Sequence, residues 1–171
     1  MERRFERSPP DAFYFVSLDG SDFKIYEQTP FDAKWFSHKF KSAGLRYEVG
    51  LNIRTGDIVW VNGGVPCGEY SDLTLARESF VHCMDDGEFA IADDVYKDQQ
   101  YFIYPSAYPQ VSAWQKNIMS RHETVNKRMK DWACLKKVFR HRVELHPLCF
   151  YAVANITQVM IDLGEKLYDA M

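Results

Sequence analysis

Apolar and polar residues alternate without a break from Leu45 to Ile53, the two-residue period of a strand with one buried face. Arg54-Thr-Gly-Asp57 supplies turn chemistry, Ile58-Val-Trp-Val61 returns, and Asn62-Gly-Gly64 reads as the end of a hairpin's second strand. Upstream, Phe13-Tyr-Phe-Val-Ser-Leu18 is a compact β-prone run that stops at Asp19-Gly20, and Phe23-Lys-Ile-Tyr26 is a short second piece before Pro30. Ser71 is placed to cap a helix over 72–80. Phe89-Ala-Ile-Ala92 reads as a short buried strand running into Asp93-Asp94. Val111, Trp114, Ile118, Val125, Met129 and Trp132 recur at helical steps and predict a long helix over 111–132. A last helix starts at Pro147 and stops near Gly164, with Phe150, Val153, Ala154, Thr157, Met160 and Ile161 on its core side. The order predicts an α/β sheet flanked by helices.

Composition narrows the class. At 171 residues the chain is sized for one domain. We expect residues 1–11 to be a leader or the stub of an upstream segment, and 12–171 to be the domain. Aromatic residues reach 15%, so the core should be rich in rings. No apolar run approaches the ~20 residues of a membrane span, and Met1-Glu-Arg-Arg-Phe5 has no apolar signal segment. The expectation is an intracellular protein without a membrane partner. Cys67, Cys83, Cys134 and Cys149 form no Cys-x-x-Cys pair, which argues for reduced thiols rather than a zinc or redox motif. His141, His146 and Cys149 could ligate a metal, but ordinary packing near a helix start is the simpler reading.

Charge changes the picture. Residues 116–142 hold nine Lys or Arg against two acids, a local +7, while the remainder carries −10. Such a block suits a polyanion and equally suits a solvated basic helix.

Asp19 and Asp93 each follow an apolar strand, where α/β folds place their sites. Glu123 lies on the polar side of the long helix with Asn126, Lys127 and Lys130. Two aspartates and a glutamate make an oxygen-only ligand set suited to Mg²⁺ or Mn²⁺. Two such ions ~4 Å apart can activate an attacking oxygen and steady the leaving oxygen of a phosphoryl displacement. Each acid also has an ordinary explanation: Asp19 as a turn residue, Asp93 as a cap, and Glu123 as the partner of Lys127 four residues on.

Three blocks together resemble the DDE superfamily endonuclease domain of Harbinger-like and related insertion-element transposases. They are Ser17-Leu-Asp-Gly20, Ala92-Asp-Asp-Val-Tyr96 and Arg121-His-Glu-Thr-Val-Asn-Lys-Arg-Met-Lys130. Between them, Gly64-Val-Pro-Cys-Gly-Glu-Tyr-Ser-Asp72 is similar to the family's Pro-Gly-x-x-x-Asp segment. The resemblance runs from Phe13 to Tyr168. It implies a ribonuclease-H-like mixed sheet flanked by helices, with the first acid on strand one, the second after strand four and the third on a late helix. The corresponding residues are Asp19, Asp93 and Glu123, holding two Mg²⁺ (or Mn²⁺) ions, with Asp72 in support. Asp94 competes with Asp93, and the motif position favours Asp93. Val95 stands where the family has glycine, and Met119 where it has arginine.

The function so implied is a metal-dependent DNA endonuclease or transposase core. Arg121, Lys127, Arg128 and Lys130 would hold DNA phosphates. A separate DNA-binding partner protein and a second copy of the chain are the implied partners. The location would be the nucleus in a eukaryote and the cytoplasm otherwise. The alternatives are a catalytically silent, transposase-derived DNA- or protein-binding domain and a metal nuclease acting on RNA.

Overall fold

The first strand is longer than its apolar run. In a computed structural model, which describes residues 1–168 and the backbone alone at 111 and 112, β1 covers Tyr14–Lys24 and joins the two pieces that the sequence separates. β2 (Phe36–Ser37), β3 (Ser42–Asn52) and β4 (Ile58–Pro66) follow. β5 (Phe89–Ile91) and β6 (Phe102–Ile103) complete a mixed six-stranded sheet. β3 pairs antiparallel with β1, β2 and β4, whereas β5 runs parallel to β1 and β6 parallel to β5. The flanking helices are α1 (Asp72–Glu78), α2 (Ser112–Lys130), α3 (Ala133–Lys136) and α4 (His146–Asp162). No helix among the described residues is long and apolar enough to cross a membrane.

The hairpin is found, but β4 does not stop at Asn62-Gly-Gly64. It continues to Pro66 through a bulge opposite Arg46 and Tyr47. Gly63 sits there at φ 122°, where a Cβ would lie 2.4 Å from the Arg46 carbonyl, so only glycine fits.

β1 is buried on both faces. Its even residues Val16 and Leu18 pack with Ala76 and Phe80 of the α1 side and with Ala90 and Phe102. On the other face Phe23 joins Tyr47, Val49 and Leu51 of β3, Val125 and Met129 of α2, and Phe150 and Ile161 of α4. Tyr47 stacks on Phe150 at 3.9 Å between centroids, and Phe23 meets both rings edge-on. Each such pair adds about 0.5–1.5 kcal/mol beyond area burial.

Ile118, Val125 and Met129 of the predicted α2 stripe are fully buried. Trp132 lies past the end of the helix and is exposed, and the side chain of Val111 lies outside the described residues, as do residues 169–171 of the expected domain. The expected leader packs on the domain: Arg4 is buried against Glu88, and Asn52 donates to the Arg3 and Arg4 carbonyls.

Candidate metal centre

The site grows from a register match between α2 and the odd-numbered residues of β1. His122 pairs with Ser17 (Nε2 to Oγ, 2.9 Å), the Asn126 amide donates to Asp19 Oδ2 (3.2 Å), and Lys130 Nζ reaches Ser21 Oγ (3.5 Å). Four helical residues advance about 6.0 Å and two strand residues about 6.6 Å, so a helix laid along a strand repeats its contacts at this spacing. The ladder puts Asp19 in the interior of β1, not at a strand end as the sequence suggested. It also explains why Asn126, rather than Glu123, meets Asp19: Glu123 falls one position off the 122, 126, 130 row.

Burial pushes the Asp19 carboxyl above the ordinary range, against the opposing pull of Lys39 and the Asn126 amide. Asp93 lies just beyond β5 and is raised too, by burial first and then by the neighbouring Asp19 charge. Its Oδ1 accepts the Val95 N–H at 3.0 Å. Asp94 is exposed and accepts the Ser106 N–H, so of the two candidates it is Asp93 that is partly buried and feels the Asp19 charge. Val95 is not among the positive-φ residues, so its backbone does not call for glycine. His122 is fully buried, and desolvation lowers it to about 3, so it is a neutral ring at physiological pH.

The even-numbered face of β1 carries a second cluster. Arg46 donates to both oxygens of Asp22 (2.9 and 3.1 Å) and to the Tyr70 carbonyl (2.8 Å), and its Nε lies 3.3 Å from Asp72 Oδ1. Glu48, opposite Gly20 in the sheet, is wholly buried and accepts from Tyr96 at 3.4 Å. The Asp72 carboxylate lies directly over Gly20, where an added Cβ would come within 1.8 Å of Oδ1. That contact couples the Asp-Gly block to the segment ending at Asp72. Gly20→Ala should therefore displace Asp72 and cost about 1–3 kcal/mol, the usual range for overpacking. Urea unfolding of the two proteins checks it, and equal midpoints would refute the contact.

The remaining predicted residues are scattered. Glu123 is exposed, and its carboxylate makes no hydrogen bond or ion pair with another described residue. Among the described residues no three His, Cys, Asp or Glu side chains form a metal-holding group. Arg121 does not reach a nucleic-acid surface: it is 2% exposed and donates to the Ile53 and Tyr168 carbonyls, tying α2 to the chain's end. Arg128 donates to the Glu165 carbonyl, while Lys127 stays exposed. His146 is buried against the Tyr47 hydroxyl (2.7 Å), His141 is exposed, and all four cysteines are free. The sequence reading did not single out Lys39, Asp22, Arg46 or Glu48, whose roles depend on cross-strand register.

Compared with family models, curated proteins and solved structures, the chain matches none.

Proposed function

We propose that the chain is a metal-dependent DNA endonuclease core of the transposase type, on a ribonuclease-H-like sheet. The observation that carries the reading is the placement of Asp19 inside the central strand β1 and of Asp93 just past the adjacent parallel strand β5, with the Asp19 charge acting on Asp93. With the two-residue β2 set aside, β5 is the fourth strand, and this order along the chain supports the reading.

The residues suit a hard cation. Asp19 and Asp93 offer carboxylate oxygens, and Asn126 Oδ1 is buried with no hydrogen-bond partner, an amide oxygen beside Asp19. Asp19 and Asp93 would hold the ion, and Glu123, the third carboxylate that the resemblance implies, is exposed one position off the row that meets Asp19. Bound divalent ions would lower the pKa of a water and offset charge on a phosphodiester in flight. The protein's own work is to fix Asp19 through Asn126 and to keep His122 neutral behind it. Lys127 and Lys130 hold phosphates, which positions DNA without reading sequence.

The exposed, unpartnered Glu123 favours a second reading, a silent binding domain that keeps the fold. Melting curves with EDTA and Mn²⁺ test the centre first. Wild type should gain about 2.7 kcal/mol at a hundredfold excess over Kd, a rise on the order of 5–10 °C. Asp93→Asn should melt slightly higher than wild type in EDTA, because a repulsion with Asp19 is gone. It should lose most of the Mn²⁺ response, and a full response in the variant would remove Asp93 from the centre. Nicking of supercoiled DNA, with an RNA substrate alongside, then separates a DNA nuclease from a silent domain and from an RNA nuclease.

A further inference from the structure

The turn after β2 brings a lysine to the centre that no motif marks. Ser37 Oγ donates to Asp22 Oδ2 at 2.6 Å and accepts the Lys39 N–H at 3.2 Å, while the Lys41 N–H bonds back to the Ser37 carbonyl at 2.8 Å. Lys41 completes the turn at φ 52°. Asp22 is itself locked by Arg46, so residues 37–41 are stapled to β1.

From that turn Lys39 Nζ donates to the Gly20 carbonyl at 3.2 Å. Lys130 Nζ, arriving from α2, stands 3.5 Å from Ser21 Oγ and 5.1 Å from the Phe23 ring. Two ammonium groups thus converge on consecutive residues of β1, next to Asp19. They are close enough to repel: burial holds Lys130 below its ordinary range and Lys39 adds to the effect. Neither forms an ion pair with a carboxylate among the described residues. Lys130 is half-buried and Lys39 exposed, and both also feel the Asp19 and Asp22 charges; a cation held by Asp19 would neutralise part of that attraction and leave the two ammonium groups to an anion. Each keeps donors beyond its one protein contact, and a phosphate offers oxygens for both.

We infer that Lys39 and Lys130 form a two-ammonium clamp for one backbone phosphate of a nucleic acid, seated over Gly20 and Ser21 beside Asp19. The inference rests on the nuclease reading for the identity of that phosphate as the one attacked. The lysines make and break no bond. They hold the nonbridging oxygens while Asp19 and Asp93 hold cations, so their effect falls on the reaction more than on overall affinity.

The test uses Lys39→Met and Lys39→Arg, with Lys97→Met on the exposed turn after Asp94 as the control. Nicking rates with Mn²⁺ and duplex affinity are read separately. Lys39→Met should slow nicking about 10²-fold, the scale of one lost transition-state donor, while changing duplex Kd less than about threefold, since one phosphate contact is removed among many. Lys39→Arg should recover most of the rate. A Lys39→Met rate equal to that of Lys97→Met overturns the clamp and leaves the nuclease intact. Should wild type and Lys97→Met not nick at all, the nuclease reading falls and the clamp is decided on lysine-¹⁵N-labelled protein titrated with inorganic phosphate. The Lys39 and Lys130 ammonium signals should then move on one saturating curve, with the Lys130 response lost in Lys39→Met. Static or independent signals overturn it.

Discussion

Arg46→Met should destabilise the protein by about 3–5 kcal/mol, the usual cost of removing one partner from a buried ion pair. Arg46 is 9% exposed, and Asp22 and Asp72 are each 6% exposed, so water cannot take over the lost contacts. The guanidinium serves three groups at once: both oxygens of Asp22, Asp72 Oδ1 and the Tyr70 carbonyl. Burial alone would push Asp22 upward. The Arg46 and Ser37 hydrogen bonds outweigh it and hold the carboxyl below its ordinary range. Without Arg46, Asp22 and Asp72 must take up protons or remain as uncompensated buried charges. Lysine is no remedy, because a point charge cannot span Asp22, Asp72 and Tyr70 together. The turn carrying Lys39 hangs from the same Asp22, so lost stability and a loosened turn should appear together. Urea unfolding at neutral pH measures the first, and hydrogen exchange at the amides of Lys39 and Lys41 the second. A loss under 1 kcal/mol would mean that the network contributes little.

What the sequence concealed follows from the same register. The alternation over 45–53 marked β3 correctly, because Leu45, Tyr47, Val49 and Leu51 share one core face. By the same pattern Arg46 and Glu48 read as the solvent side, yet they lie under α1 with Asp72. Nothing local signals this. Arg46 is paired with Asp22 across the sheet, 24 residues earlier in the chain. Asp19 drew attention through its neighbours Leu18 and Gly20, but the apolar run stops there because Ser21 and Asp22 are bonded to polar partners, Lys130 on α2 and Arg46 on β3. Helical periodicity likewise identified Ile118, Val125 and Met129 and passed over Gln115 and His122, which are as deeply buried. Gln115 donates to the Ala92 and Ile103 carbonyls and His122 pairs with Ser17, so their burial depends on distant partners rather than on hydropathy. Glu123 matched a motif spacing, whereas the residue placed against Asp19 is set by the pitch of a helix along a strand.

Glu48→Gln should abolish the pH dependence that this one carboxyl imposes on folding. Glu48 is wholly inaccessible, its Oε1 accepts only the long Tyr96 hydrogen bond, and Oε2 has no partner. Burial, then the nearby Asp72 charge, raises it from 4.5 to about 8, and the opposing pulls of Tyr96 and Arg46 do not cancel this. The folded protein therefore keeps a proton at neutral pH that the unfolded chain has released. Stability from this group is complete below pH 4.5, falls by about 1.4 kcal/mol per pH unit through the window, and is gone once pH passes 8. Across that window the wild type should lose on the order of 3–5 kcal/mol more than Glu48→Gln, which cannot ionise. Asp19, Asp72 and Asp93 are raised and slope the same way. His122 and His146, lowered to about 3 and about 4, slope the opposite way between those values and their ordinary 6.5. All of them remain in both proteins, so the difference between the two curves isolates Glu48. Urea unfolding at pH 5, 6.5 and 8.5 should show the variant gaining steadily on wild type and exceeding it at the highest pH. Parallel curves would mean that Glu48 is already ionised at pH 5, and that water or a cation reaches the floor of the site beneath Gly20.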